Sequence, residues 1–220
     1  KARGKFRNEG LVPLVGDSVE LSKDDASIAS DPSMLAGNVN KIFKRKNSFD
    51  RPPIANVDVI IIVAAAKDPE PLTYIIDRMA VSSELANTEV AICINKDDLE
   101  SSEPLLKTYK NIYPVFSVSA KNATGLEELK SFLKGKKAAL CGPSGVGKSS
   151  LTNALLEENV EVGEISKKTL RGKNTTRYSE LFIGDGFLLF DTPGFTSFDT
   201  PQLSEIDFSA YDDIVFINCT

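Results

Sequence analysis

The sequence predicts a small all-β unit followed by an α/β unit built on a mostly parallel sheet. Three observations carry this expectation. Residues 1–50 hold short β-type runs broken by turn residues; from Val57 onward, near-continuous Val, Ile and Leu runs alternate with helix-length segments; and Arg51-Pro52-Pro53 stands between the two patterns.

In the first unit, strands are expected over residues 2–7, over 18–21 after a Gly16-Asp17 turn, over 28–29 and over 39–43, a small β-barrel pattern. Proline donates no ladder hydrogen bond and restricts the residue before it. Pro52-Pro53 therefore reads as a linker, and the division falls near residue 55, giving residues 1–55 and 56–220. The second unit is expected to run as a strand over 57–66, a helix over 72–85, a strand over 90–95, a helix near 103–110 and a strand over 115–119. A helical segment over 125–133, a strand over 137–141, a helix from 148 to about 157, a polar loop and strands over 179–183 and 187–190 follow. Strands this apolar along their whole length are covered on both faces, as in a parallel sheet between two helix layers.

A chain of 220 residues with 41% apolar residues can bury a full core with room for one small extra unit. No run approaches the roughly 18 uninterrupted apolar residues of a membrane span, so no membrane partner is expected. Cys93, Cys141 and Cys219 are too few and too scattered for a disulfide framework, which suits a reducing cytoplasm. The chain begins at Lys1 without a methionine or a signal-peptide pattern, so an N-terminus cut back from a longer one is expected. Residues 1–55 hold ten Lys and Arg against seven Asp and Glu, the remainder 16 against 24, within a net charge of −5. A weakly basic first segment on an acidic body fits nucleic-acid contact or a solvated mixed-charge surface equally well.

Gly142-Pro143-Ser144-Gly145-Val146-Gly147-Lys148-Ser149, with Ser150 beside it, fits G-x-x-x-x-G-K-[ST] between an apolar strand and a helix. The glycines let backbone N–H groups face phosphate oxygens, Lys148 reaches the β and γ phosphates, and the Ser149 hydroxyl ligates Mg²⁺. Asp191-Thr192-Pro193-Gly194 fits D-x-x-G at a strand end, an acid for Mg²⁺ followed by a glycine N–H that senses the γ-phosphate. Between them, Thr176, or else Thr175, can complete the Mg²⁺ shell; the metal set is thus Ser149, Thr176 and Asp191, and the catalytic set Lys148, Thr176 and Gly194.

Asn95-Lys96-Asp97-Asp98 matches N-K-x-D at the end of a strand. Asp98 can accept from guanine N1–H and its exocyclic amine, the Lys96 stem can lie along the ring, and Asn95 can brace the phosphate loop. That selects GTP over ATP. Ser119-Ala120-Lys121 ends the next strand, where the Ala120 N–H is expected to bond guanine O6. In ordinary GTPases the phosphate loop precedes the base elements, whereas here residues 95–98 and 119–121 precede 142–149, 175–176 and 191–194. The order is circularly permuted, with residues 125–137 expected to join the old termini.

This order of N-K-x-D, S-A-K, G-P-S-G-V-G-K-S-S, T-T-R and D-T-P-G-F resembles the RsgA family, the ribosome small-subunit-dependent GTPases. The likeness extends to residues 2–7, 15–17 and 51–58. It implies an N-terminal OB-fold, a permuted P-loop GTPase domain, GTP/GDP and Mg²⁺ as ligands, and a role in late maturation of the small (30S) ribosomal subunit, whose rRNA the barrel would touch. A monomer is expected, with no DNA partner. Two departures stand out. Asn174 occupies the place of a family histidine, in a chain with no histidine at all. The given sequence reaches only Cys219-Thr220, where the family continues into a C-terminal zinc domain, so truncation is expected; with Ile214 where a partner cysteine is expected, no zinc is expected in these residues. Phe195 follows Gly194 where Ras-like enzymes place a water-orienting glutamine, so slow intrinsic turnover is expected, with Arg171, Arg177 or Asn174 as possible helpers. Asn174 and Phe195 also motivate an alternative, a nucleotide-gated rRNA-binding module with vestigial hydrolysis.

Overall fold

A computed structural model of the chain describes residues 12–23, 37–50, 52–156 and 180–191. The strands expected over 2–7 and 28–29 lie outside these residues. Two short antiparallel pairs come first: β1 (Val19–Lys23) with β2 (Gly37–Ile42), and β3 (Ser48–Phe49) with β4 (Ile54–Ala55). A register shift between Glu20 and Leu21 bends the first pair, as a bulge does.

Pro52 and Pro53, expected as a linker, instead form the turn of the second hairpin, where the Ile54 N–H donates to the Pro52 carbonyl at 2.9 Å. Phe49 and Ile54 on either side are buried in one cluster with Ile60 and Ile62 of the main sheet. Apolar residues flanking the prolines pull the hairpin onto the sheet, and a turn needs no proline N–H, so the pair closes a packed element.

The remaining elements alternate as expected. They are β5 (Val59–Ala65), α1 (Thr73–Leu85), β6 (Glu89–Asn95), α2 (Glu103–Tyr109), β7 (Val115–Ser117), α3 (Leu126–Leu133), β8 (Lys137–Cys141), α4 (Lys148–Leu156), β9 (Glu180–Ile183) and β10 (Leu188–Asp191). The sheet order is β7-β6-β5-β8-β10-β9, parallel throughout except that β9 runs antiparallel to β10 at the edge.

β5 is buried along all seven residues. Because side chains alternate across a strand, Ile60, Ile62 and Ala64 enter one core with Ile76 and Met79 of α1 and Tyr109 of α2. Val59, Ile61, Val63 and Ala65 enter a second core with Leu129 and Leu133 of α3 and Leu151 of α4. The two helix layers follow from this pattern. Among the described residues no helix is long and apolar enough to cross a membrane.

The permuted connection is α3 followed by a tight turn, in which the Lys136 N–H donates to the Leu133 carbonyl at 2.9 Å and the Gly135 N–H to the Gly186 carbonyl at 2.6 Å. It delivers the chain into β8 beside β5. With β7, β6, β5, β8 and β10 all parallel, their C-terminal ends share one edge. Loops after each of them must emerge there, which in open α/β sheets is where ligands bind.

Candidate functional site

The loop from Gly142 to Gly147 joins β8 to α4 at that edge. Lys148 opens the helix and turns its ammonium back into the loop, donating to the Gly142 carbonyl at 2.7 Å and the Pro143 carbonyl at 2.8 Å. The group is half-buried, and burial pushes its pKa below the ordinary lysine value. A partly desolvated cation compensated by two carbonyl dipoles gains further from an anion in the same cradle. Ser144, Gly145, Ser149 and Ser150 are exposed at its mouth, while Val146 is buried beneath it.

Asn95 organises the edge. It ends β6 and is 2% exposed. Its Nδ2 donates to the Val146 carbonyl at 2.9 Å, and its Oδ1 accepts the Ala120 N–H at 3.0 Å. One side chain thereby ties the strand carrying N-K-x-D to the phosphate-type loop and to the loop after β7. The second bond corrects an expectation: the Ala120 N–H, aimed from sequence at guanine O6, is taken by Asn95. A buried amide oxygen needs a donor, and this N–H supplies it.

Gly147 shows how closely the pieces fit. Its φ is +92°, a conformation glycine adopts freely, and a Cβ there would run into Asn95 Nδ2. Gly147→Ala is expected to cost about 1–3 kcal/mol through backbone strain and displacement of Asn95. The urea midpoint of unfolding measures it; an unchanged midpoint would mean that the loop relaxes freely.

Asp98 lies beside Ser119, whose hydroxyl donates to Asp98 Oδ1 at 2.6 Å. Ser119 is buried, accepts the Asn122 N–H at 3.2 Å, and closes its loop through paired backbone bonds with Thr124 at 3.0 and 3.1 Å. Ala120 and Lys121 ride on this loop, Lys121 exposed. Asp97, the variable position of N-K-x-D, has a structural task. Its Oδ1 accepts the Ser102 N–H at 2.9 Å at the start of α2, and that bond, more than any other influence, holds the carboxyl below the usual range.

Sequence reasoning missed the loop after β5. The Lys96 ammonium donates to the Asp68 carbonyl, Lys67 pairs with Glu100 at 2.7 Å, and a Cβ on Gly145 would sit 3.6 Å from Pro69 Cδ. Residues 67–69 therefore bond to the base-type element and lie close to the phosphate-type loop. The only signal for them was that a strand parallel to β6 and β8 must empty at the same edge.

Asp191 closes β10, paired with Glu180 of β9 on a strand adjacent to β8. Its side chain lies outside the described residues, as do Thr175, Thr176, Gly194, Asn174, Phe195, Arg171, Arg177 and Cys219.

A phosphate-type loop on β8, reached after the N-K-x-D strand β6 and the S-A-K loop after β7, defines a P-loop GTPase fold in circularly permuted order. The RsgA GTPase family model matches residues 42–201, and the RsgA N-terminal domain model matches residues 1–29. The chain belongs to the RsgA GTPase family.

Its relatives include the small ribosomal subunit biogenesis GTPase RsgA of Agathobacter rectalis, 39% identical over 199 residues, covering 88% of this chain and 64% of the relative. The protein of the same name from Caldanaerobacter subterraneus subsp. tengcongensis is 43% identical over 200 residues, with 88% and 65% covered. The chain thus spans just under two-thirds of these curated relatives. Among solved structures, YjeQ from Thermotoga maritima matches with a TM-score of 0.70 and 38% identity over 89% of this chain and 66% of that one. YloQ, described as a circularly permuted GTPase, matches with a TM-score of 0.69 and 30% identity over 94% and 64%.

Proposed function

We propose that this protein binds GTP and GDP at the shared strand edge, hydrolyses GTP to GDP and phosphate, and acts in late maturation of the small (30S) ribosomal subunit, which stimulates the reaction. The observation that carries the nucleotide reading is the buried Asn95 amide. By joining the base-type strand end to the Val146 carbonyl, it sets the spacing between a purine and its phosphates.

In this reading Asp98 takes guanine N1–H and the exocyclic amine, while Ser119 holds its carboxylate in place. Lys96 is held by its bond to the Asp68 carbonyl, and its stem would cover the ring. Guanine O6 falls to the turn at Ala120 and Lys121, chiefly to the Lys121 N–H, since that of Ala120 serves Asn95. The N–H groups of Gly142, Ser144, Gly145, Val146, Gly147, Lys148, Ser149 and Ser150 would wrap the phosphates, Pro143 shapes the turn, and Lys148 neutralises the β and γ oxygens. Ser149, Thr176 (or Thr175) and Asp191 are hard oxygen donors of the kind Mg²⁺ prefers; when bound, the ion neutralises charge on the phosphate oxygens. Gly194 supplies an N–H to the γ-phosphate. The reading divides the chain near residue 55, with the β3–β4 hairpin as the joint between an rRNA-contacting barrel and the GTPase domain.

The curated relatives' shared name, small ribosomal subunit biogenesis GTPase, supports the ribosomal part, and a monomer working in the cytoplasm goes with it. Multiple-turnover phosphate release with and without purified 30S subunits tests the proposal. Turnover is expected to be slow alone and to rise by about 10²-fold with subunits, which is what one added transition-state donor is worth. Rapid turnover without subunits overturns the stimulation. No turnover with them leaves a nucleotide-gated rRNA binder.

A further inference from the structure

Gly16 lies where the N-terminal strands meet the main sheet. Its φ is +95°, and a Cβ there would run into the Ala55 carbonyl and come within 2.7 and 3.0 Å of Phe190 Cζ and Cε1. The bare backbone therefore rests on the edge of the Phe190 ring, which is 1% exposed.

The turn that presents Gly16 is fastened on every side. The Ala55 N–H donates to the Val15 carbonyl at 2.9 Å, and Asn56 Nδ2 donates to the Gly16 carbonyl at 3.0 Å. The Asp17 carboxylate, 3% exposed, accepts the Leu14 N–H at 2.8 Å and Arg45 Nε and Nη2 at 2.7 and 2.9 Å. Arg45 also donates to the Val12 carbonyl at 2.6 Å. A loop held by this many directed bonds has one seat, and Phe190 is part of that seat.

Phe190 immediately precedes Asp191 in β10, and its backbone pairs with Ala139 of β8 and Leu181 of β9. Its ring thus sits one residue from the strand end that presents Asp191. We propose that residues 15–17 form a latch on Phe190, making Gly16 and Phe190 positioning residues that link the seating of the N-terminal strands to the placement of Asp191, and hence to triphosphate recognition. This rests on the GTPase reading above. The linkage is reciprocal: whatever seating contributes to triphosphate binding, bound triphosphate returns to the seating.

The test uses the full chain and two variants, Phe190→Leu, which removes the ring edge while keeping an apolar strand residue, and Asp17→Asn, an isosteric change that loosens the clamp. Fluorescent GDP and a fluorescent non-hydrolysable GTP analogue are titrated with Mg²⁺ present, and kcat and KM for GTP are measured with 30S subunits. GDP affinity is expected to hold, while preference for the analogue and kcat each fall about tenfold, within the roughly 5- to 150-fold range of coupled sites. Either variant suffices if the other fails to fold. Unchanged preference and kcat in a folded variant overturn the latch, and an equal loss for GDP and analogue marks a merely structural role and also overturns it. A wild-type chain that binds no guanine nucleotide sinks the GTPase reading and the latch together, whereas normal wild-type binding with indifferent variants sinks the latch alone.

Discussion

Asp98→Asn is expected to lower affinity for GTP by about 10⁴-fold and to transfer preference to xanthosine triphosphate. Asp98 offers acceptors only, which suits the two donors on the guanine edge. A carboxamide turns an N–H₂ toward one of those donors, and a polar pair that fails to match within a closed site loses the bond and keeps the desolvation cost. Xanthine carries a carbonyl where guanine carries the amine, so the new amide can donate to it. The Ser119 hydroxyl, now 2.6 Å from Asp98 Oδ1, can go on donating to the amide oxygen, and the side chain keeps its place. Direct titration of the variant and the wild-type chain with fluorescent GTP and fluorescent xanthosine triphosphate measures the effect. A variant that still prefers GTP removes Asp98 from the base site.

Lys148→Ala is expected to reduce kcat by about 10²–10³-fold, the cost of losing one preorganised charge at a developing phosphate anion. Without nucleotide the fold is expected to hold. The wild-type ammonium is half-buried and, among the described residues, hydrogen-bonded to the Gly142 and Pro143 carbonyls, and burial already depresses its pKa. Removing it leaves carbonyls at the mouth of an open loop, where water can replace it. Single-turnover hydrolysis with 30S subunits, together with a thermal melt of the apo chain, separates the two effects. Near-wild-type hydrolysis would remove Lys148 from the phosphate site, and a collapsed melt would make its role structural.

Much of this protein was legible residue by residue. The alternation of apolar runs and helix-length segments after Val57 reappears as β5 to β10 with their helices, because a strand buried on both faces is apolar along nearly its whole length and so advertises itself. Glycines, a lysine and a hydroxyl at fixed offsets identify the loop after β8 for a similar reason: its shape is set within a few residues.

The Pro52-Pro53 turn was misread because proline signals the end of a ladder without saying whether the chain then wanders or folds back. What decided it was the burial of Phe49 and Ile54 against Ile60 and Ile62. The contact of the loop at residues 67–69 with Lys96 was equally hidden, since nothing in Lys67-Asp68-Pro69 names a partner near residue 96. The N–H of Ala120 was assigned to a ligand when a buried protein acceptor had a prior claim on it.

Sequence alone determined the kind of sheet, the order of the motifs and therefore the permutation, because these depend on local pattern and chain order. Asn95 was legible as the brace of the phosphate loop, but only the tertiary structure decided that it grips the Val146 carbonyl, 51 residues away, while taking the Ala120 N–H, and that Gly16 rests on Phe190. A donor's acceptor and a glycine's neighbour are chosen by packing across distant segments, where many pairings satisfy the same composition and close packing admits one.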